Sequence, residues 1–375
     1  MSAWLRRVRK HALVLVLLLV LQVIVFFPTL FLGRLVSPND LHYRYFPWQA
    51  MIDVDPANPW IFDPALVLYP HVTALRESFG LFHWNPFTGL GIEGLGAPSG
   101  GVVSPFVLIP LIIGLDALFF SAVILLKSSI TFLFGYLWLR EELLGKPAAA
   151  AGAVVVAAAG VTTVLWLDAA TSATALYPAA LYFAARIARG RPVSILASAA
   201  LGAAWFVSGD WRAIIPGLGL ALLYSLLPVF VLRRERWKGF LRFGAGLALG
   251  WLLVLPLVRA DRWHGEAGEP AVASFPLQHA AAFVDPYRYG NPGEGLWRAE
   301  EAPEAGGTLA GTTLYVGLVP LGLALAAPFA RRRMRFFWVL IALLVIIGLF
   351  VAGLPMEKAM AACGGSVRDL RFLLP

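Results

Sequence analysis

Apolar runs of about twenty residues recur along the chain and are separated by short clusters of basic residues. A run of this length suffices for one helix to cross the hydrocarbon core of a bilayer. The expected fold class is therefore all-α, a single polytopic transmembrane domain covering residues 1–375. The nine spans that we predict are residues 12–32, 117–139, 148–167, 170–187, 193–208, 213–232, 240–258, 312–330 and 336–353.

The composition supports a membrane protein and excludes several other classes. Charged residues make up 14% of the chain, against about 25% in soluble globular proteins. The formal net charge of +8 comes from clusters between the apolar runs, so we expect no nucleic-acid partner. The single cysteine, Cys363, excludes an intrachain disulfide and a cysteine-based zinc site.

The first apolar run has an alternative interpretation as a cleaved signal peptide. It is 21 residues long, which exceeds a usual signal core, and no small-x-small cleavage site follows it. We therefore interpret residues 12–32 as a retained helix that also acts as the signal.

The basic residues predict the orientation of the helices. A cytoplasmic N-terminus makes every inner segment basic, as the positive-inside rule requires. Of the 22 carboxylates, only Glu141, Glu142 and Glu235 fall in these segments, and residues 33–116, 259–311 and 354–375 are expected outside. The inner basic residues are Arg6, Arg7, Arg9, Lys10, Arg140, Lys146, Arg186, Arg189, Arg191, Arg233, Arg234, Arg236, Lys238, Arg242, Arg331, Arg332, Arg333 and Arg335.

The two outer loops are longer than simple connections, since loops beyond about 15 residues are usually functional or disordered. Residues 33–116 are rich in aromatic side chains, which argues against disorder, and residues 69–82 have the pattern of a short interfacial helix. Residues 104–114 are expected to form either a re-entrant segment or an extension of the second span. The short, alanine-rich fourth and fifth runs are expected to pack inside the bundle.

Asp40 is the candidate catalytic residue. It lies a few residues beyond the first predicted span, at the outer lipid–water boundary, and heads the longest outer loop. Its carboxylate is suited to accept a proton from an attacking hydroxyl or to hold a divalent metal, and Arg44 and Tyr45 are suited to bind a phosphate and a ring. A plain turn is the alternative, because Pro38-Asn39-Asp40 is good turn chemistry.

A second candidate lies in the glycine-rich segment 83–98. Its glycines let the backbone approach a ligand closely, and no βαβ context supports a nucleotide fingerprint. We predict a sugar platform in which Trp84 stacks on the sugar and Asn85 or Glu93 forms hydrogen bonds with it. The alternative is a tight loop packed on the bundle.

Charged residues mark two further outer segments. Asp210 and Arg212 lie in a predicted turn, 209–212, between the fifth and sixth spans. They form either part of a substrate cavity or a solvated pair that contributes little. Arg368 and Arg371 lie three residues apart after the ninth span and are suited to clamp a phosphate, with a solvated tail as the alternative.

Lys127 lies inside the second predicted span, where a charge costs roughly 2.5–3.5 kcal/mol on insertion scales. It must therefore face protein, water or a partner carboxylate, and Asp116 is too far along the helix to be an obvious partner. The sequence assigns Lys127 no role. The three histidines of the first loop have spacings that match no zinc pattern.

The order of these motifs resembles the YfhO-like bacterial membrane proteins, which belong to the GT-C class of glycosyltransferases. The resemblance implies a GT-C-like fold in the bacterial inner membrane and transfer of a sugar from a polyprenyl-phosphate donor at the outer face. It also implies that Asp40 is the catalytic position. The residues that carry it are Asn39-Asp40, Tyr45-x-Pro47-Trp48, Trp84-Asn85-Pro86 with the following glycines, Ser104-Pro105, Gly209-Asp210-Trp211-Arg212 and Arg368-x-x-Arg371-Phe372.

The chain also departs from the family pattern. The family tends to have Gly before the aspartate and Gln four residues after it, where this chain has Asn39 and Arg44. A turn that usually reads Gly-His-Pro-Gln is here Gly209-Asp210-Trp211-Arg212. The added arginines favour an anionic sugar or phosphate. Family members are usually longer, so a fragment is one interpretation of the chain.

Two other functions fit the same spans. A lipid or glycan transporter or flippase would line a path at mid-membrane with charged residues, and a non-catalytic envelope assembly subunit would need neither a path nor a site. Polar residues concentrate in the predicted outer loops, which favours the enzyme. The expected partners are a lipid-linked sugar and membrane lipids. The sequence defines no cofactor, although Asp40, Glu93 and Asp210 offer oxygen ligands for a divalent metal.

Overall fold

A computed structural model describes residues 12, 14, 16–24, 26–33, 50–51, 72, 84–85, 92–93, 103–115, 118–142, 144–158, 169–208, 211–232 and 237–255. Within these ranges the regular structure is helical apart from one pair of two-residue strands. The all-α prediction is therefore confirmed for the part of the bundle that is described. The eighth and ninth predicted spans lie outside these ranges, as do the second outer loop and the C-terminal tail.

The first predicted span is helical at every described position from 12 to 24 and continues as α1, Phe27–Leu32. Pro28 stands in the first turn of α1, where its missing N–H costs little. Gly33 follows α1 with a φ of 63° and donates its N–H to the Pro28 carbonyl, a left-handed conformation that glycine adopts without strain. The helix therefore ends at Leu32, as the sequence predicts.

Two helices, α2 (Pro105–Ile113) and α3 (Phe119–Glu141), follow the first predicted loop. Gly114 ends α2 with a φ of 78°, and its N–H donates to the carbonyls of Pro110 and Leu111, each at 3.1 Å. Residues 104–114 therefore form a separate short helix, and the alternative of a continuous extension of the second span is wrong. Among the described residues, α3 is the one helix long and apolar enough to cross a membrane.

The other described helices are shorter, interrupted or described only in part. Three apolar stretches, Lys146–Ala157, Ile195–Phe206 and Gly217–Leu226, are too short by themselves to span a bilayer. The nine-span prediction is thus supported at α3 and is carried forward as a proposal elsewhere. The helices are α4 (Lys146–Ala157), α5 (Ala169–Thr174), α6 (Tyr177–Ala188), α7 (Ile195–Phe206), α8 (Trp211–Leu232) and α9 (Trp237–Val254).

The main core of the described bundle is formed by the five helices from α5 through α9. Trp205 and Phe243 are fully buried in it, together with Leu176 and Ile214. Four alanines of α6 are at most 2% exposed, and the inner side of α7 is buried as well. The expected packing of the fourth and fifth runs inside the bundle is therefore confirmed for α6 and for one side of α7.

Small residues let α7 and α9 pack backbone against backbone. A Cβ atom on Gly250 of α9 would lie 2.0 Å from the carbonyl oxygen of Ala199 in α7, and one on Gly202 would lie 2.6 Å from that of Leu247. Gly246, four residues before Gly250, makes a similar approach to α7. Small residues at this spacing are typical of helix pairs in membranes, where close van der Waals packing helps to drive association.

Large apolar side chains also cover the outside of the bundle. Leu19 and Ile24 of the first run are 63% and 66% exposed, and Leu252 and Leu253 of α9 are 65% and 67% exposed. Soluble monomers rarely expose large contiguous apolar patches, whereas helices that face lipid do so by necessity. A lipid-facing surface is therefore part of the function proposed below.

Candidate functional site

Ten residues are predicted to form the site, and the structure describes the backbone of four of them: Trp84, Asn85, Glu93 and Arg212. Arg212 lies in the first turn of α8, which begins at Trp211. The predicted turn at 209–212 is therefore too long at its C-terminal end, because no glycine or proline separates Trp211 from the following apolar run. The predicted residues outside the described ranges are Asp40, Arg44, Tyr45, Asp210, Arg368 and Arg371.

A β-hairpin brings three of the predicted residues together. The strands β1 (Trp84–Asn85) and β2 (Ile92–Glu93) pair antiparallel, with Trp84 opposite Glu93 and Asn85 opposite Ile92. Residues opposed in this way have Cα atoms about 4.5–5.5 Å apart. The register thus sets Trp84 directly opposite Glu93, while Asn85, the next residue of β1, is opposite Ile92 and takes the alternate position along the strand. This pairing was not predicted, because strands of two residues are too short to show an alternating pattern.

The interior of α3 contains a polar contact that the sequence did not predict. Lys127 is 2% exposed and donates a hydrogen bond from Nζ to Oγ1 of Thr171 in α5, at 2.9 Å. Thr171 is likewise 2% exposed. A buried ammonium group needs polar partners in place of water. The hydroxyl of Thr171 supplies one such partner.

Lys127 contacts α5 just before an interruption of the helix. The fourth span, predicted as one helix over 170–187, consists of α5, a turn at Ala175 and Leu176, and then α6. Pro178 in the first turn of α6 explains the break, because it has no N–H to donate to the carbonyl of Thr174 and its ring crowds the preceding turn. The span predicted over 170–187 did not include this break.

Side chains from two neighbouring helices bond the carbonyls at this interruption. The single hydroxyl hydrogen of Thr131 in α3 is shared between the Lys127 carbonyl, at 2.8 Å, and the Ala175 carbonyl, at 3.3 Å. Trp205 in α7 donates its indole N–H to the Ala173 carbonyl at 2.9 Å. Buried backbone carbonyls that lose a helical partner are normally bonded by other protein groups or by water. The interruption is therefore supported by the bundle around it.

The first apolar run is bonded to α3 beside Lys127. Gln22 is 8% exposed, and its Nε2 lies 2.9 Å from Oγ of Ser128 and 3.1 Å from Oγ of Ser129. Hydrogen bonds between amide and hydroxyl side chains commonly join membrane helices. Gln22, Lys127, Thr131 and Thr171 thus form a set of polar contacts that links three helices.

A second polar group, which we call the basic-end cluster, contains Glu141, Glu142, Arg189, Arg191 and Tyr224. Arg191 donates from Nη1 to Oε1 of Glu141 at 2.9 Å, and Nη2 of Arg189 lies 3.6 Å from Oε2 of Glu142. Tyr224 donates its hydroxyl to Oε1 of Glu142. The C-terminal ends of α3 and α6 therefore lie together, in contact with α8.

The described residues do not indicate a metal site. No group of three His, Cys, Asp or Glu side chains among them could hold a metal ion. Of the predicted oxygen ligands, Asp40 and Asp210 lie outside the described ranges, and Glu93 is described by its backbone alone. The metal requirement, which the sequence leaves open, is not tested by the described residues.

The sequence contained a signal for the helix interruption, although not for its contact with Lys127. Thr171, Ser172 and Thr174 place three hydroxyl groups in an apolar run shortly before Pro178. All three side chains are buried in the structure. Hydroxyl groups just before a proline in an apolar run indicate a helix break with polar partners.

Comparison of the chain with protein-family models, curated proteins and solved structures gives no match. The functional argument therefore rests on the geometry described above and on the motifs of the sequence.

Proposed function

We propose that the protein is a multi-pass membrane glycosyltransferase that transfers a sugar from a polyprenyl-phosphate donor to an envelope glycan, lipid or protein at the outer face. The observation that carries the proposal is the pairing of Trp84 with Glu93 and of Asn85 with Ile92. It sets a residue with an indole side chain opposite one with a carboxylate, while Asn85, the next residue of β1, takes the alternate register position. Binding sites for small polar molecules combine such an apolar surface with a few hydrogen-bonding groups.

The basic-end cluster supports the outer position of this hairpin. Glu141 ends α3 beside Arg191, in segments that the positive-inside rule assigns to the cytoplasm. A helix that crosses the membrane once has its two ends on opposite sides. The Phe119 end of α3, which follows loop 33–116, then lies at the outer face.

In the proposed reaction Asp40 takes the proton from the acceptor hydroxyl, and the hydroxyl oxygen attacks the anomeric carbon with inversion. The bond from this carbon to the phosphate oxygen breaks, and its electron pair leaves with the polyprenyl phosphate. Arg212, Arg368 and Arg371 neutralise charge on the departing phosphate. Arg44, four residues after Asp40, favours an anionic sugar or phosphate.

Glycan transfer in membranes of a deletion strain that expresses one variant at a time tests this proposal. Asp40→Asn is expected to lose at least about 100-fold in turnover, as is usual for a general base. Trp84→Ala and Glu93→Gln are expected to raise KM more than they lower turnover. Lys238→Gln, an exposed position on α9, is the control and should leave transfer unchanged. Full activity of a correctly inserted Asp40→Asn protein would overturn the proposal.

A transporter or flippase is the second candidate, and the buried Lys127 beside an interrupted helix favours it. Interrupted helices and intramembrane charges commonly form transport sites. The two functions differ in their product, because a transporter moves a labelled lipid-linked sugar across sealed vesicles without forming a new glycosidic bond. Lys127→Met should abolish such movement and Asp40→Asn should not. The reverse pattern, with a new glycosidic product, identifies the enzyme.

A further inference from the structure

Gln22 is the one polar residue of the first apolar run between Ala12 and Phe27. Its side chain contacts α3, where Nε2 lies 2.9 Å from Oγ of Ser128 and 3.1 Å from Oγ of Ser129. Both N–H groups of the amide therefore meet hydroxyl oxygens of α3. Because the two serines are consecutive, they lie about 100° apart around the helix. The amide is thus held from two directions on the same helix.

A second group of contacts shows that the first run lies antiparallel to α3. Val14, which precedes Gln22 by eight residues, is buried in one cluster with Phe132 and Tyr136. These two aromatic residues follow Ser128 along α3. The earlier part of the first run thus packs on the later part of α3, as two antiparallel helices require.

The amide contact determines how far these two helices are shifted along each other. Leucine and valine side chains pack on lipid as well as on another helix, so apolar contacts between membrane helices discriminate weakly between registers. A single polar residue in an apolar seam is a well-attested device for fixing register. A shift by one turn, about 5.4 Å, would separate Gln22 from both serines and leave its amide in apolar surroundings.

The helix carries this register to its far end. The N–H of Phe26 donates to the carbonyl of Gln22 at 2.9 Å, and the N–H of Leu30 donates to the carbonyl of Phe26 at 2.8 Å. The helix ends at Leu32, ten residues after Gln22 and thus about 15 Å further along the axis. Asp40 follows eight residues later in the sequence. The depth of the helix therefore sets the height at which the segment with Asp40 begins.

We propose that Gln22 is a positioning residue for the sugar transfer described above. By bonding Ser128 and Ser129 it fixes the depth of the first helix against α3, and with it the height at which Asp40 meets the acceptor hydroxyl. This inference rests on the proposed function. A general base must lie within hydrogen-bond reach of the proton that it takes, and a misplacement of about 1 Å can cost about 100-fold in rate. A shifted helix therefore slows the chemical step more than it weakens substrate binding.

A distance between two spin labels tests the register independently of activity. The labels are attached to Val16→Cys and Leu125→Cys, exposed positions of the first run and of α3, in a protein that also carries Cys363→Ala. Gln22→Leu is expected to change this distance by up to about 5 Å, one helical turn. Leu19→Ala, at an exposed position of the same helix, is the control and should keep the wild-type distance. An unchanged distance in Gln22→Leu would overturn the proposal.

Kinetics of the same variants, without the labels, test the role in the reaction. In Gln22→Leu, kcat per folded protein is expected to fall at least about tenfold while KM stays within about twofold. A merely structural role would lower the yield of folded protein and leave its kcat unchanged. The double variant Ser128→Ala, Ser129→Ala should show the same loss, and adding Gln22→Leu to it should cost little more, because the three residues act through one contact.

The two measurements separate failure of this inference from failure of the proposed function. A changed label distance with unchanged kcat would overturn the positioning of Asp40 by Gln22 and leave the sugar transfer standing. If the wild type forms no glycosidic product, the proposed function is overturned, and the role of Gln22 in the reaction with it.

Discussion

Nζ of Lys127 lies 2.9 Å from Oγ1 of Thr171, and this hydrogen bond joins the interior of α3 to the last turn before a helix interruption. Both residues are almost fully buried. The contact explains part of how a positive charge is accommodated in the one described helix that is long and apolar enough to cross a membrane. Substitution of Thr171 therefore tests whether its hydroxyl stabilises the contact between α3 and α5.

Replacement of Thr171 by valine is expected to lower the free energy of unfolding by about 1.5–3 kcal/mol, because a hydrogen bond to a charged donor is lost with little change in shape. Thr171→Ser keeps the hydroxyl and should cost clearly less. The measurement is reversible unfolding of the purified protein in mixed detergent micelles. Equal losses in the two variants would contradict a role for the hydroxyl.

The indole N–H of Trp205 is expected to stabilise the helix interruption by bonding the Ala173 carbonyl. Trp205→Phe keeps an aromatic ring but removes the donor, and should cost about 0.5–1.5 kcal/mol for the hydrogen bond in addition to the smaller ring. Trp251→Phe is the matched control, since the indole nitrogen of Trp251 is buried without a partner among the described residues. Equal losses of unfolding free energy in the two variants would contradict this prediction.

The glycine contacts between α7 and α9 predict opposite effects of two alanine substitutions on one helix. Gly250→Ala would place a methyl group 2.0 Å from a backbone oxygen of Ala199, so the helices must separate at a cost of about 1–3 kcal/mol. Gly244→Ala meets nothing within 4 Å and should be neutral or stabilising by up to about 1 kcal/mol, as alanine favours helix. Thermal unfolding in detergent measures the stability of the two variants. Similar melting temperatures would contradict the close contact between α7 and α9.

The sequence predicted those features that depend on local rules. The first predicted span ends with the apolar run at Leu32, and the structure ends the helix there, followed by Gly33 in a left-handed conformation. The break before Pro178 follows from an equally local rule, but the uninterrupted apolar run on both sides of it outweighed the proline. The Lys127–Thr171 contact was beyond sequence reasoning, because the two residues are 44 positions apart and their contact depends on how their helices are rotated against each other. The convergence of Asp40 with the arginines stays a prediction.

The carboxylate of Glu142 is expected to couple α3 to α8 energetically through the hydroxyl of Tyr224. Tyr224→Phe removes the donor and Glu142→Gln removes the charge of the acceptor, so the double variant should lose less stability than the two single losses added together. For residues in contact such a difference is about 0.5–3 kcal/mol. Glu142→Gln and Trp251→Phe affect residues with no contact between them in the described structure. Their losses of stability should be additive within about 0.5 kcal/mol. Additive losses in the Tyr224 cycle would show that the hydroxyl and the carboxylate do not interact in the folded protein.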